Sequence, residues 1–201
     1  MNAVPQKEST LSHLVPALLF TVVSVVALGL IYPAIIWLIG IVAFPHQAGG
    51  SMITAGGKTI GSTLVGQTFT KPQYFHGRPS AAGKNGNDPT QTGGTNLGPT
   101  SKKLIDSIAA AVTALKKENP DATGPIPSEL VTSSASGIDP DISPEGAYYQ
   151  IARVAKARGM SQDAVRAIVD QHIQGRTLGI LGEPHVNVVE LNLALDAGAK
   201  P

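Results

Sequence analysis

The chain contains no cysteine. That excludes disulfides, thiolate zinc sites, iron–sulfur ligation and a cysteine nucleophile, and says nothing about compartment. Charge is sparse: 14% of residues are ionisable Asp, Glu, Lys or Arg, and 15 basic against 14 acidic residues leave a net +1. No polybasic run occurs, so the sequence carries no nucleic-acid footprint. From Ser9 through Gly57 there is no Asp, Glu, Lys or Arg at all, and apart from Lys7 and Glu8 every charge lies at or beyond Lys58. The mean hydropathy of +0.10 is high for a soluble protein and averages over this division.

What fills the uncharged half is apolar. Leu14 to Phe44 reads LVPALLFTVVSVVALGLIYPAIIWLIGIVAF, longer than the ~20 residues needed to cross a bilayer core. A cleaved signal peptide has an apolar region of about 7–15 residues and a small-x-small cleavage site, whereas Ala43-Phe44-Pro45 is a poor site. The expectation is a retained transmembrane anchor over residues 11–44, accommodated by tilt, an interfacial end, or a kink at Pro33. Tyr32 and Trp37 suit a headgroup boundary. Gly29 and Gly40, with Ala34, leave room for a partner helix to approach, which is also ordinary membrane-helix composition. Lys7 on one side and Lys58 on the other leave the orientation undetermined by charge.

Residues 45–201 have the size of one domain, following a short tail at 1–10 and the anchor at 11–44. Thr59–Phe69 is the strand-like stretch of its first part. Gly and Pro from Lys71 to Thr100 forbid long helices, and Tyr74, Phe75 and Leu97 argue that the segment is ordered. Leu104, Ile105, Ile108, Val112 and Leu115 repeat at helical spacing between a Thr100/Ser101 cap and the stop at Asn119-Pro120. Ser143-Pro144-Glu145 starts a second helix that ends at Gly159. Ser161 starts a third that ends near Gly175, and Asn187 caps a C-terminal one. The expected fold is a single N-terminal transmembrane helix plus an α/β or α+β domain with long Gly/Pro-rich loops.

Chemistry-bearing patterns are missing. Gly57-Lys58-Thr59 has the end of a phosphate-binding loop, but Met52 stands where its first glycine belongs. Histidines 13, 46, 76, 172 and 185 have no metal-ligand spacing, no G-x-S-x-G elbow occurs, and Asp139 and Asp141 read as turn and cap residues around Pro140. No catalytic residue and no metal ligand is expected. The apolar run also lacks the intramembrane charge that an ion pathway of its own would show.

Three blocks say more: Gly61–Gly83 (GSTLVGQTFTKPQYFHGRPSAAG), Thr92–Leu104 (TGGTNLGPTSKKL), and Ile126–Met160 followed by Leu181–Asp196 (LGEPHVNVVELNLALD). The anchor adds Gly29-Leu30-Ile31-Tyr32-Pro33 and Phe44-Pro45-His46-Gln47-Ala48. Together they resemble the C subunit of Kdp-type potassium-transporting P-type ATPases over nearly the whole chain. The resemblance implies a non-catalytic accessory subunit in a bacterial inner-membrane pump. Its N-terminus would be cytoplasmic and its domain periplasmic. Its partners would be a channel-like potassium-translocating subunit, a P-type ATPase subunit and a small membrane subunit, in the lipid bilayer. ATP and potassium are then used by the complex, and this chain is expected to stabilise it and to raise the ATPase subunit's affinity for ATP. Where family members commonly have Ser-Gly-Gly-Ser-Asn this chain has Thr92-Gly93-Gly94-Thr95-Asn96, and Asp141 replaces a common histidine.

Within that resemblance, Gly93, Gly94 and Asn96 are candidate nucleotide contacts, since consecutive glycines can present N–H groups to an anion. The plainer reading is a turn ahead of the Ser101 cap, and a periplasmic loop does not meet cytosolic ATP. Arg78, Gln150, Arg153 and Arg158 are candidates either for partner contact or for pinning Gly-rich loops through their carbonyls. Gly29, Tyr32, Pro33 and Gly40 are the candidates for transmembrane packing. The competing functional class is an independent membrane-tethered periplasmic ligand-binding protein.

Overall fold

The computed structural model describes residues 10–198; most of the expected tail at 1–10 lies outside the described residues. The chain divides into two compact units that meet at Ser51 and Met52.

The first unit is helical: α1 (Thr10–Ser24), a π-helical stretch (Val25–Ile31), α2 (Tyr32–Ala43) and a short α3 (Pro45–Ala48). Ser12–Ala43 forms a 32-residue candidate span whose most apolar 18-residue window has a mean hydropathy of 2.6, with none of that window buried. At ~1.5 Å per residue it is about 48 Å long, more than a ~30 Å hydrocarbon core. Pro33 explains the π stretch. It has no N–H, and its ring crowds the carbonyl four residues back. The turns before it widen, so that the Tyr32 N–H reaches Ala27 O, five residues back. Phe44, at φ −134°, leaves the helix.

The second unit opens with a hairpin, β1 (Met52–Ala55) and β2 (Lys58–Ser62), turned at Gly56 (φ 58°) and Gly57 (φ 77°). Both φ values are positive, as a two-residue hairpin turn requires. The strand expected over Thr59–Phe69 therefore stops at Ser62. The reason lies at Gly66, whose N–H donates to Ile138 O at 2.8 Å and where a Cβ would stand 2.6 Å from Asp139 O. The chain is drawn onto another loop instead of continuing a ladder.

The core forms around a three-stranded antiparallel sheet in the order β3 (Asp141–Ile142), β5 (His185–Asn187), β4 (Ile173–Gln174). With it pack α5 (Pro144–Arg158), α6 (Gln162–Gln171) and α7 (Val188–Gly198). Antiparallel pairing without a βαβ crossover makes the domain α+β. Val154, Val165, Val169, Val186 and Leu191 are fully enclosed, each contributing roughly 1.5–3 kcal/mol of apolar transfer. The caps expected at Ser143 and Ser161 and the stop at Gly159 hold: Gly146 N donates to Ser143 Oγ at 3.0 Å, Ala164 N to Ser161 Oγ at 3.1 Å, and Gly159 ends α5 at φ 65°. Asn187 Oδ1 accepts from Val189 N and Glu190 N at the head of α7, as its sequence suggests.

Two expectations need correction. The third helix ends at Gln171 rather than near Gly175, because Ile173 and Gln174 pair with β5. In α4 (Lys102–Glu118) only Leu115 of the apolar stripe is fully buried, and Ile105 is exposed. Leu104, Ile108 and Val112 are half-buried, and Ser101, at the expected cap position, makes no side-chain cap bond.

Candidate functional site

The polar groups of the domain converge on one stretch of chain, Pro72 to His76. It has no regular structure, so its backbone groups need partners from elsewhere. Side chains from α5 and α7 supply them in sequence. Arg153 Nη1 donates to Pro72 O at 2.7 Å and to Tyr74 O at 2.8 Å. Arg158 Nε donates to Gln73 O at 2.7 Å. Asn192 takes both backbone groups of Phe75: the Phe75 N–H donates to Asn192 Oδ1 at 2.8 Å, and Asn192 Nδ2 donates to Phe75 O at 2.9 Å. Gln150 does the same for His76, accepting its N–H at 2.8 Å and donating to its carbonyl at 3.0 Å. Two side-chain amides thus stand in for the strand neighbour this segment lacks, and Phe75 is driven wholly into the core between them.

Arg153 is the hub. Its Nε donates to Asn119 Oδ1 at 3.0 Å and its Nη2 to Gln150 Oε1 at 2.6 Å. Burial lowers its pKa to about 10, which leaves it cationic at neutral pH. The helical spacing of Gln150 and Arg153 sets both side chains toward the same segment. Arg158 closes the far side: its Nη2 donates to Asp196 Oδ1 at 2.7 Å, its guanidinium lies 5.2 Å from the Tyr74 ring centre, and Tyr74 OH donates to Asp196 Oδ2 at 3.0 Å. His76 adds a titratable contact, its Nδ1 3.4 Å from Glu118. Burial, reinforced by the nearby Arg153 charge, lowers the pKa of His76.

Arg78 works on a second set of loops, donating from Nη1 to Asp139 Oδ2 at 3.0 Å and from Nη2 to Ser133 O at 3.4 Å. Ser80 Oγ donates to Gly137 O and accepts from the N–H groups of Ala82 and Asn87. Gly137, at φ 71°, has space for no side chain: a Cβ would lie 2.6 Å from Gly93 O and 2.7 Å from the Ala82 Cβ. That packing locates the Gly-Gly-Thr-Asn block. The Gly93 N–H donates to Ser136 O at 2.7 Å, Gly94 lies against the Ala135 backbone, and Asn96 turns outward at φ 49°. Gly93 therefore has its donor engaged within the domain. A polar cavity of about 370 Å³ opens beside Arg78, Ser80 and Gly83–Asn87.

In the first unit Gly29, Tyr32, Pro33 and Gly40 follow one another at spacings that keep one side of a helix; the first three are exposed, whereas Gly40 is half-buried, with the place of its Cβ 3.9 Å from the Ala48 Cβ. Among the described residues, no three His, Asp or Glu side chains gather as a metal site would require. The residue that sequence reading missed is Asn192. Its signal was a polar side chain inside the apolar run Val188–Leu195, on the face that carries Leu191 and Leu195.

These features define a class: a domain carried on a single apolar helix, whose buried polar side chains hold loops in place. The comparisons give the family. The family model described as "KdpC: K+-transporting ATPase, c chain" matches residues 14–197. The chain is 52% identical over 190 residues to a potassium-transporting ATPase KdpC subunit of Koribacter versatilis, covering 94% of this chain and 96% of that one. It is 52% identical over 187 residues to the same-named subunit of Allorhizobium ampelinum (93% and 97% covered), and 52% identical over 186 residues to that of Myxococcus xanthus (92% and 88%). The chain belongs to the KdpC family, subunits of the potassium-transporting ATPase.

Proposed function

We propose that this chain is a non-catalytic, single-span subunit that stabilises an ATP-driven high-affinity potassium uptake complex in the bacterial inner membrane. Its domain lies on the periplasmic side. The observation that carries the reading is the family match over residues 14–197, which takes in both the apolar span and the whole clamped domain. A stretch as apolar as Ser12–Ala43, unburied by its own chain, has lipid and the spans of partner subunits as its surroundings. Gly29, Tyr32, Pro33 and Gly40 make up the side on which a partner helix packs. The partners are a channel-like subunit that carries potassium, a P-type subunit that hydrolyses ATP and a small membrane subunit.

The clamp gives the domain its part. A segment fixed at every residue from Pro72 to His76 presents a preformed surface, so docking costs little ordering entropy. Arg78, Gln150, Arg153 and Arg158 act by holding loops, not by touching a partner. A raised ATP affinity in the ATPase subunit follows from contacts that differ between conformational states of the pump. Nucleotide contact by Gly93, Gly94 and Asn96 is not required, since the Gly93 N–H is already bonded to Ser136 O.

The test is purification of the tagged full chain from native membranes in mild detergent. Recovery of a P-type ATPase and a channel-like protein in fixed ratio is expected. Recovery of the chain alone, from cells that express both, overturns the reading.

A further inference from the structure

Between β4 and β5 the chain runs out into a hairpin, Arg176 to Glu183, whose tip breaks two rules at once. The turn Thr177-Leu178-Gly179-Ile180 is closed by an Ile180 N–H bond to Thr177 O at 3.2 Å, with φ 54° at Leu178 and 77° at Gly179. A turn with positive φ at both central residues calls for Asn, Asp or Gly at the first of them, and a bulky aliphatic residue there is strained. The strain gains nothing within the domain: Leu178 is 85% exposed, Ile180 73% and Leu181 57%. The tip is nonetheless built to keep its shape. Thr177 N and Leu181 N exchange bonds with Leu181 O and Thr177 O at 2.8 and 3.0 Å, and Arg176 Nη2 donates to Glu183 Oε2 at 2.6 Å across the base. Strain that the local structure does not reward is a mark of a working site.

We infer that Leu178, Ile180 and Leu181 form a preformed apolar plug that seats in an apolar recess on another subunit of the same potassium-transporting ATPase; this rests on the subunit reading above. Three side chains fall far short of the ~800 Å² per partner that a free-standing complex buries. The plug is therefore one contact within an assembly held together elsewhere, and the apolar span is the element that holds it. Charge separates a protein recess from a lipid surface. Membrane-seeking loops present aromatic or basic side chains to headgroups, whereas residues 178–182 contain neither. At the base, Arg176 is already paired with Glu183, whose carboxylate would be repelled by anionic headgroups.

The chain has no cysteine, so Leu178→Cys creates a single thiol in it for a photoreactive maleimide. Irradiation of the labelled complex in native membranes is expected to give an adduct with another subunit, mapped by mass spectrometry. An adduct with lipid only, with a second copy of this chain, or with nothing overturns the inference. Independently, Leu178→Asn with Ile180→Ser supplies the turn with a residue it favours. The domain is then expected to melt no lower than wild type, while recovery of the other subunits through a detergent wash falls at least threefold. Unchanged recovery also overturns the inference. If the unmodified chain itself recovers no other subunit, the subunit reading fails first, and the two failures are thereby told apart.

Discussion

Replacing Gln150 with leucine tests the clamp most directly. The side chain is fully buried and joins four groups: it accepts from His76 N at 2.8 Å and Arg153 Nη2 at 2.6 Å, and donates to His76 O at 3.0 Å and Gly146 O at 3.2 Å. Gly146 O keeps its bond within α5, so leucine orphans three groups: the His76 N–H, the His76 carbonyl and one N–H of Arg153. An unmet buried neutral group costs about 1 kcal/mol or more, and a lost bond to a charged group about 1.5–3 kcal/mol. The expected loss is about 3–5 kcal/mol, a large share of the ~5–15 kcal/mol that a domain has. Gln150→Glu keeps both accepted bonds and strengthens that to Arg153, but turns an oxygen against two carbonyls, so it should cost less, about 1–2 kcal/mol. The assay is amide hydrogen exchange of the full chain in detergent, read at Phe75 and His76, together with urea denaturation. In Gln150→Leu the His76 amide should lose protection first, and Phe75, still held by Asn192, should follow. A stability change under about 1 kcal/mol with His76 still protected would refute the account of the clamp.

Further outcomes follow from neighbouring groups. Arg153→Lys keeps the charge but loses the fork that reaches Asn119, Pro72, Tyr74 and Gln150 together; a loss of about 2–3 kcal/mol by urea denaturation is expected. Gly137→Ala drives a Cβ into Gly93 O and the Ala82 side chain at positive φ, and should cost at least about 2 kcal/mol and shift the backbone resonances of Gly93 and Gly94. Asp141 has its pKa raised, first by burial and then by the charge of Asp139, and its Oδ1 is buried without a partner. A raised acid pKa means that the folded state holds the proton more tightly, so its contribution to stability falls as pH rises through and above the carboxylate range. Asp141→Asn should therefore stabilise the domain at pH 7, by about 0.5–1 kcal/mol given its partial exposure, and the gain should vanish near pH 4. His76 has the opposite slope. Its lowered pKa means that the unfolded chain binds its proton first, so stability falls as pH drops below about 6.5. His76→Asn should flatten that limb in thermal melts at pH 5–7.

Local rules made several elements readable. Ser143 and Ser161 cap where their positions say, Gly159 ends α5, and Asn187 opens α7, because each of these signals is satisfied within one helical turn. The residues of α4 were legible as a helix but the depth of its burial was not: periodicity reports that a face is apolar, not how fully it is covered. The strands were least legible. Asp141–Ile142, Ile173–Gln174 and His185–Asn187 are two or three residues long, too short to show alternation, and they exist because of pairing across the chain. Of the clamp, Gln150, Arg153 and Arg158 were legible as polar side chains that needed a purpose near a long loop. Their acceptors were not, since Pro72 to His76 are supplied from residues 74 to more than 100 positions away.

The places where local chemistry is violated do not all mean the same thing. Arg78 and Asp141 each leave a buried atom unmet; Arg78 is paired with Asp139 within the domain, whereas Asp141 bears an uncompensated cost that its raised pKa reports. Asn96 at positive φ is a residue type that tolerates the conformation. Leu178 differs from all three. Its conformation is costly for its type, its side chain is left in water, and the hydrogen bonds of Thr177 and Leu181 hold it there. Within the domain no side chain covers Leu178, and it is this exposed, strained apolar tip that the seat on another subunit accounts for. The clamp and the tip are thus complementary: one concentrates buried polar partners to make loops rigid, and the other holds apolar side chains outside a rigid frame.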